Sequence, residues 1–206
     1  MIPFETLTLF SIASLALALA PGPDNIFVLT QSALHGPRAG LLITLGLCTG
    51  LLVHTATVAL GVAAIFQTSA AAFTLLKTIG AAYLLYLAWQ AWRAGTLTET
   101  AASLLHTRKL YSRGIIMNIT NPKVAIFFLA FLPQFADPSR GSVTMQLLQF
   151  GALFIIATLL VFGAIALSAG YLGDRLKRSQ LAQILMHRIA ATVFAALALK
   201  LALSER

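Results

Sequence analysis

Apolar residues run along this chain in long blocks, and polar residues gather in the short gaps between them. The first block extends from about Phe4 to Leu34 and is interrupted at Pro21-Gly22-Pro23-Asp24-Asn25. Its length exceeds one straight crossing of a bilayer, which takes about 20 residues. The paired prolines forbid one regular helix. A polar turn with Pro37 and Arg38 follows. Further blocks run from about Leu41 to Phe66, Phe73 to Trp92, Ile115 to Phe135, Met145 to Leu172 and Ile189 to Leu203. The fourth crossing carries Asn118, Asn121, Pro122 and Lys123 inside its apolar run. The pattern predicts an all-α integral membrane protein with six transmembrane helices, of which the first and fourth are broken.

Composition agrees. Of the 206 residues, 59% are hydrophobic and 10% charged, whereas a soluble domain carries about 25% charged residues. So few charges cannot cover a soluble surface, and lipid is the natural solvent. A single transmembrane domain over residues 1–206 is expected, with no separate soluble domain. The net charge of +8 would suggest nucleic acid in a soluble protein. Here the Lys and Arg residues sit in the gaps, where positive-inside loops belong, so no nucleic-acid partner is expected. Leu15 to Ala20 looks like the core of a signal peptide, but Glu5 is present and no Lys or Arg precedes Arg38. A signal peptide needs a positive start, so this segment is read as a retained first helix. Cys48 is alone and inside an apolar block, which implies an inert buried thiol.

Charge also sets topology. The first, third and fifth loops hold Arg38, Arg93, Arg108, Lys109, Arg113, Arg175, Lys177, Arg178 and Arg188, against Lys77, Arg140, Lys200 and Arg206 on the other side. The positive-inside rule then places both termini outside.

The two halves resemble each other. Repeat one covers about residues 1–95, a connecting loop about 96–112, and repeat two about 113–206. Pro21-Gly22-Pro23-Asp24 interrupts the first, and Asn121-Pro122-Lys123 the second. Pro23 and Gly40 are 17 positions apart, and Pro122 and Gly141 are 19 apart. Each of those glycines is read as closing a polar turn with Pro and Arg. Three crossings per repeat force opposite orientations, and inverted repeats with broken helices mark secondary transporters.

The breaks carry the candidate chemistry. Gly22 and Asn121 are good N-cap types, and proline is favoured at the first helical position. Pro23 and Pro122 are therefore expected to start half-helices, whose N-termini offer free N–H groups and partial positive charge suited to a carboxylate. The plainer reading is a pair of proline kinks. Asp24 and Lys123 follow those prolines directly, and a charge within a crossing costs about 2.5–3.5 kcal/mol on insertion scales. Counting helical rise, each lies about 15–18 Å from the nearest turn. Three readings stand side by side: a structural Asp24–Lys123 salt bridge, a pair receiving the amine and carboxylate of a substrate, and Asp24 as a proton-coupling carboxylate. Asn25, Gln31, Thr30, Asn118 and Thr120 add polar groups. They line a pathway or satisfy freed carbonyls, and for the two threonines the second reading is favoured. Asp24, Phe27, Val28 and Gln31 share one helical face.

His54 reads as a packed, hydrogen-bonded residue, and the histidines lack metal-site spacing. No metal or cofactor is expected. Gly46 and Gly50 form a G-x-x-x-G pattern that permits close helix packing. Trp89, Trp92 and Tyr111 flank the longest basic segment as interfacial anchors do.

At these residues the chain resembles a known family. Pro21-Gly22-Pro23 after a short first helix, and Met117-Asn118-Ile119-Thr120-Asn121-Pro122-Lys123 running into Phe127-Phe128-Leu129-Ala130-Phe131-Leu132-Pro133-Gln134-Phe135, are similar to the LysE/RhtB amino-acid exporters. Gly80 to Trp89 looks like that family's third helix. The resemblance implies an inner-membrane, multi-pass efflux carrier driven by the proton gradient. Its cargo would be a small amino acid or related metabolite, and the site would comprise Pro21, Gly22, Pro23, Asp24, Asn118, Asn121, Pro122 and Lys123. Leu197-Ala198-Leu199-Lys200 departs from the pattern by lacking a glycine. A homodimer is compatible with the size. Two other classes compete. A membrane-embedded enzyme would need Asp24 and His54 to meet in a cavity. A structural membrane subunit would tolerate neutral replacement of Asp24 and Lys123.

Overall fold

The computed structural model describes residues 2–68, 70–93, 107–178 and 180–203, and among them every regular element is helical. Helix α1 spans Phe4–Leu19 and α2 spans Pro23–His35, and the two meet at 60°. Proline chemistry explains the break. Pro23 lacks an N–H and occupies the first turn of α2, with Gly22 extended at the N-cap. Helix α3 (Pro37–Thr68) and α4 (Ala70–Arg93) complete the first half.

The second half repeats this order. Helix α5 (Thr107–Thr120) ends at Asn121, and the chain bends by 51° into a run of α6 (Pro122–Ile126), a π-turn (Phe127–Phe131) and a 3₁₀ turn (Leu132–Phe135). A 3₁₀ turn at Pro138–Arg140 leads to α7 (Val143–Arg178), and α8 (Gln180–Leu203) follows. Among the described residues two helices, Pro37–Gly61 and Val143–Ala169, are long and apolar enough to cross a membrane, and each bent pair is so when its two parts are taken together. Helix α8 contributes the apolar stretch His187–Leu199 and packs along α4.

Several boundaries differ from expectation. Much of the longest polar segment, 94–106, lies outside the described residues, but Thr107 to Arg113 are already helical. Arg175, Lys177 and Arg178 continue α7 instead of forming a loop. Lys and Arg are good helix formers, so a drop in hydropathy does not end a helix. In the first turn the glycine with positive φ is Gly36, at 81°, and Gly40 lies within α3. Gly141, at 115°, does close its turn. There the Asp137 carboxyl accepts from Ser139 and Arg140, and the Ser139 hydrogen bonds are the first cause holding it below the usual carboxylate range.

Helix α3 is the centre of the bundle, touching α2, α5 and α7. Its glycines decide the fit. Gly46 faces the Tyr111 carbonyl and the Gly114 Cα of α5, and Gly50 faces Asn118. Contacts that advance together along both helices mean that α3 and α5 run parallel, and the G-x-x-x-G pattern has α5 as its partner. Against α7 the order reverses: Gly40 meets Ala166 and Thr55 meets Gly151, so these helices run antiparallel. Where lipid supplies no hydrophobic drive between helices, such close approach supplies dispersion instead.

Between α1, α7 and the π-turn lies a plug of buried phenylalanines. Phe10 stands 4.8 Å from Phe150 and 5.1 Å from Phe135, and Phe127 stands 4.9 Å from Phe131 and 5.2 Å from Phe154, centre to centre. Each tilted or edge-on pair adds about 0.5–1.5 kcal/mol beyond contact area.

The glycine contacts generate a paired prediction. A Cβ on Gly114 would sit 2.5 Å from the Ile43 carbonyl oxygen, a backbone atom that cannot step aside, whereas one on Gly163 meets nothing within 4 Å. Gly114→Ala should cost about 1–3 kcal/mol. Gly163→Ala should be neutral or stabilise by up to about 1 kcal/mol. Unfolding of both variants in the same detergent checks the contrast.

Candidate transport site at the two helix breaks

A helix leaves its last four carbonyls without partners, and in hydrocarbon each must still be satisfied. At the end of α1 the Ala16 carbonyl accepts from Ala20 N–H at 2.9 Å. The Ala18 carbonyl accepts from Asn25 Nδ2 at 2.8 Å. The Leu17 and Ala20 carbonyls accept from Lys123 Nζ, at 3.4 and 3.1 Å. So the ammonium that closes α1 comes from the other half of the chain, and a cation at a helix C-terminus is favourably placed. A Cβ at Gly22 would lie 3.1 Å from that nitrogen, so a side chain there would crowd it.

The reciprocal tie runs from Asp24. Its Oδ2 accepts from Asn121 Nδ2 at 2.9 Å. The same Asn121 caps α6, its Oδ1 accepting from Lys123 N–H at 3.0 Å. Of the three readings, the structural Asp24–Lys123 salt bridge is not formed: among the described residues the ion pair is Arg140–Asp137, and Asn121 reaches both chain segments. Gly22, Asp24, Asn25, Asn121 and Lys123 are thus brought to one place, with Pro21, Pro23 and Pro122 between them. Asn25 proves to be a carbonyl donor.

Two cavities flank this cluster. The larger, about 980 Å³, is lined by the predicted Pro21, Gly22, Pro23, Gln31, Asn121, Pro122 and Lys123. Among the described residues, Lys123, Arg113 and His187 are the basic side chains on its wall, and neither Asp nor Glu lines it. Gln31 is fully buried and neither end of its amide has a partner. The half-helix α2 opens here without a side-chain cap. The smaller cavity, about 20 Å³, holds Asp24, Asn118, Lys123 and Thr158 on its wall. Lys123 alone of the charged residues described lines both.

Sequence reading missed Thr158, Arg113 and His187. Thr158 is one hydroxyl in an apolar run, and Arg113 looks like any loop cation. His54 behaves as expected: its Nε2 is 3.2 Å from the Asn118 carbonyl oxygen and its ring 5.6 Å from Phe128. It lines neither cavity, so the meeting with Asp24 that an enzyme would need is not found. Thr120 donates to the Ile116 carbonyl, the plain role expected of it, whereas Thr30 lines the larger cavity.

The family model for LysE type translocators matches residues 15–205. The chain belongs to the LysE family. A homoserine/homoserine lactone efflux protein of Salmonella typhimurium is 36% identical over 160 residues, 77% of each chain. A leucine efflux protein of Salmonella choleraesuis is 30% identical over 155 residues, covering 73% of this chain and 70% of that one. An uncharacterized membrane protein of Vibrio cholerae is 36% identical over 162 residues, 78% of this chain and 79% of its own. No solved structure matches. LysE membership makes this a membrane protein of a bacterial transporter family, and its named relatives export amino acids.

The hydrogen bonds across the breaks predict how charge and stability are linked. Lys123→Met strips two carbonyls of their donor and removes the nearby cation whose field favours charged Asp24 without touching it, a loss of about 2–5 kcal/mol. Asp24→Asn should cost less. The double variant should recover part of the Lys123→Met loss, since no stranded charge remains. Unfolding midpoints of the full double-mutant cycle give the coupling.

Proposed function

We propose that this LysE-family protein is a secondary exporter of small amino acids, with six crossings in two inverted halves and its substrate site at the two helix breaks. One observation carries the reading: buried Asp24 and half-buried Lys123, at interlocked half-helices beside the two cavities, offer opposite charges that form no ion pair with each other. A zwitterion complements such a place, its ammonium toward Asp24 and its carboxylate toward Lys123 and the open N-terminus of α2. Pro21, Gly22, Pro23, Asn25, Gln31, Asn118, Asn121 and Pro122 complete the site. The relatives' names support the charge assignment. Homoserine and its lactone share an amino group but not a free carboxylate, so the amine is their common handle.

The inverted arrangement is supported by helix direction, since α3 runs parallel to α5 and antiparallel to α7. The larger cavity is walled by α2, the second half of α4, α5 and the start of α8. All of these lie toward the helix ends and turns where most of the basic residues gather. By the positive-inside rule that side is cytoplasmic, in an inner membrane with both termini outside. The cavity then collects cargo from the cell interior, while the phenylalanine plug closes the other face. Asp24 carries either the substrate's ammonium or a proton, so that proton entry drives release. Transport of this kind needs no covalent chemistry and no cofactor.

Cells preloaded with a dipeptide mixture test the reading. The wild type should release one or a few amino acids faster than cells lacking the protein. Asp24→Asn and Lys123→Met, normalised to protein in the membrane, should lower that release by about tenfold or more, as expected for losing a hydrogen bond to a charged group. Unchanged release by the inserted wild type would count against export. Orientation has its own check in a Cys48→Ala background: cysteines at Glu5 and Ser139 should react with an impermeant reagent from outside, and one at Ser112 only from inside.

A further inference from the structure

The smaller cavity has an unusual wall. Asp24 Oδ1, Asn118 Oδ1 and Thr158 Oγ1 are buried there without any hydrogen-bond partner. Their residues are 4%, 3% and 3% exposed, and they come from three helices, α2, α5 and α7. Buried polar atoms are paired in the great majority of cases. Three unpaired oxygens on residues that line one space of about 20 Å³ therefore point to something that donates to all of them. Thr158 strengthens the case. Ser14, Ser32, Thr44 and Thr55 are buried too, and each donates to the carbonyl four residues back. Thr158 is the one buried hydroxyl among the described residues that has no partner.

We infer that this cavity seats the ammonium group of the substrate, and that Thr158 is a specificity-determining residue. The inference rests on the exporter reading and deepens it. An ammonium presents three N–H donors and no acceptor, which matches three acceptors of which one belongs to a carboxylate. The volume admits a group the size of water, for which about 10–15 Å³ suffices. It does not admit a carbon skeleton. The rest of the molecule stays on the side of the larger cavity, past Lys123, which lines both spaces. Asn121 holds Asp24 Oδ2 and so leaves Oδ1 to the small cavity. A hydroxyl in place of the amine has one proton to give and leaves the remaining oxygens unpaired. The seat therefore selects amines over hydroxy acids of the same skeleton.

The test uses the full chain in proteoliposomes, with counterflow of L-leucine and of L-homoserine, each competed by the 2-hydroxy acid of its own skeleton. The wild type should carry the amino acid and be inhibited poorly by the hydroxy acid. Thr158→Val, nearly the same shape without the hydroxyl, should raise the half-saturating concentration about tenfold and narrow the preference for the amine. Thr158→Ser should restore both. Thr158→Ala gives the same reading if the valine variant fails to insert. Transport by the variants with unchanged half-saturation and unchanged amine preference overturns the seat while leaving the exporter standing. Wild-type liposomes that carry neither amino acid overturn both.

Discussion

A peptide group has nowhere to turn in hydrocarbon, and the structure follows from how two interrupted helices meet that constraint. The carbonyls freed at the end of α1 are taken up by Asn25 and by Lys123. The first belongs to the next half-helix, the second to the opposite half of the chain. In return Asp24 binds Asn121, the cap of the second break. Each interruption is therefore completed by the other. A break that would be a defect in a single helix becomes a joint between two, and Lys123, which repairs the backbone from the opposite half, also lines the cavities on either side.

Close packing places that joint. Glycines bring α3 against α5 and α7 at near-backbone distance, which holds Asn118 and Thr158 toward the same small space as Asp24. Lipid exerts no hydrophobic pull between helices, so shape alone decides where they seat. The π-turn after α6 adds to this by turning Phe127, Phe128 and Phe131 into the core. Turns of this kind often accompany functional sites.

The broken helices were legible in the sequence because proline acts locally: Pro23 and Pro122 lack a donor wherever they sit. The family was legible because the segment around Asn121-Pro122-Lys123 is long and specific. Helix ends were less legible. Basic residues at Thr107–Arg113 and Arg175–Arg178 lower hydropathy but keep helical propensity, so two helices run further than their apolar parts. The turn glycine was misplaced from Gly36 to Gly40, since a pattern of Pro, Arg and Gly does not report φ. Asp24 and Lys123 stand out in the sequence as charges within apolar blocks, but the sequence does not show that Asn121 bonds to both. Thr158 was invisible in one dimension: whether a hydroxyl bonds its own helix or faces a cavity depends on helices far away in the chain.

The phenylalanine plug has an electrical consequence. Seven phenylalanine rings pack in mutual contact, and an apolar constriction closes by dewetting. Moving one elementary charge across the membrane potential is worth about 2.3 kcal/mol per 100 mV, so any continuous wet thread through the bundle would discharge the cell. The rings act as an insulator in series with the polar joint. Under the proposed export, cargo crosses only when the rings part, and while they touch the charged centre communicates with one face of the membrane alone.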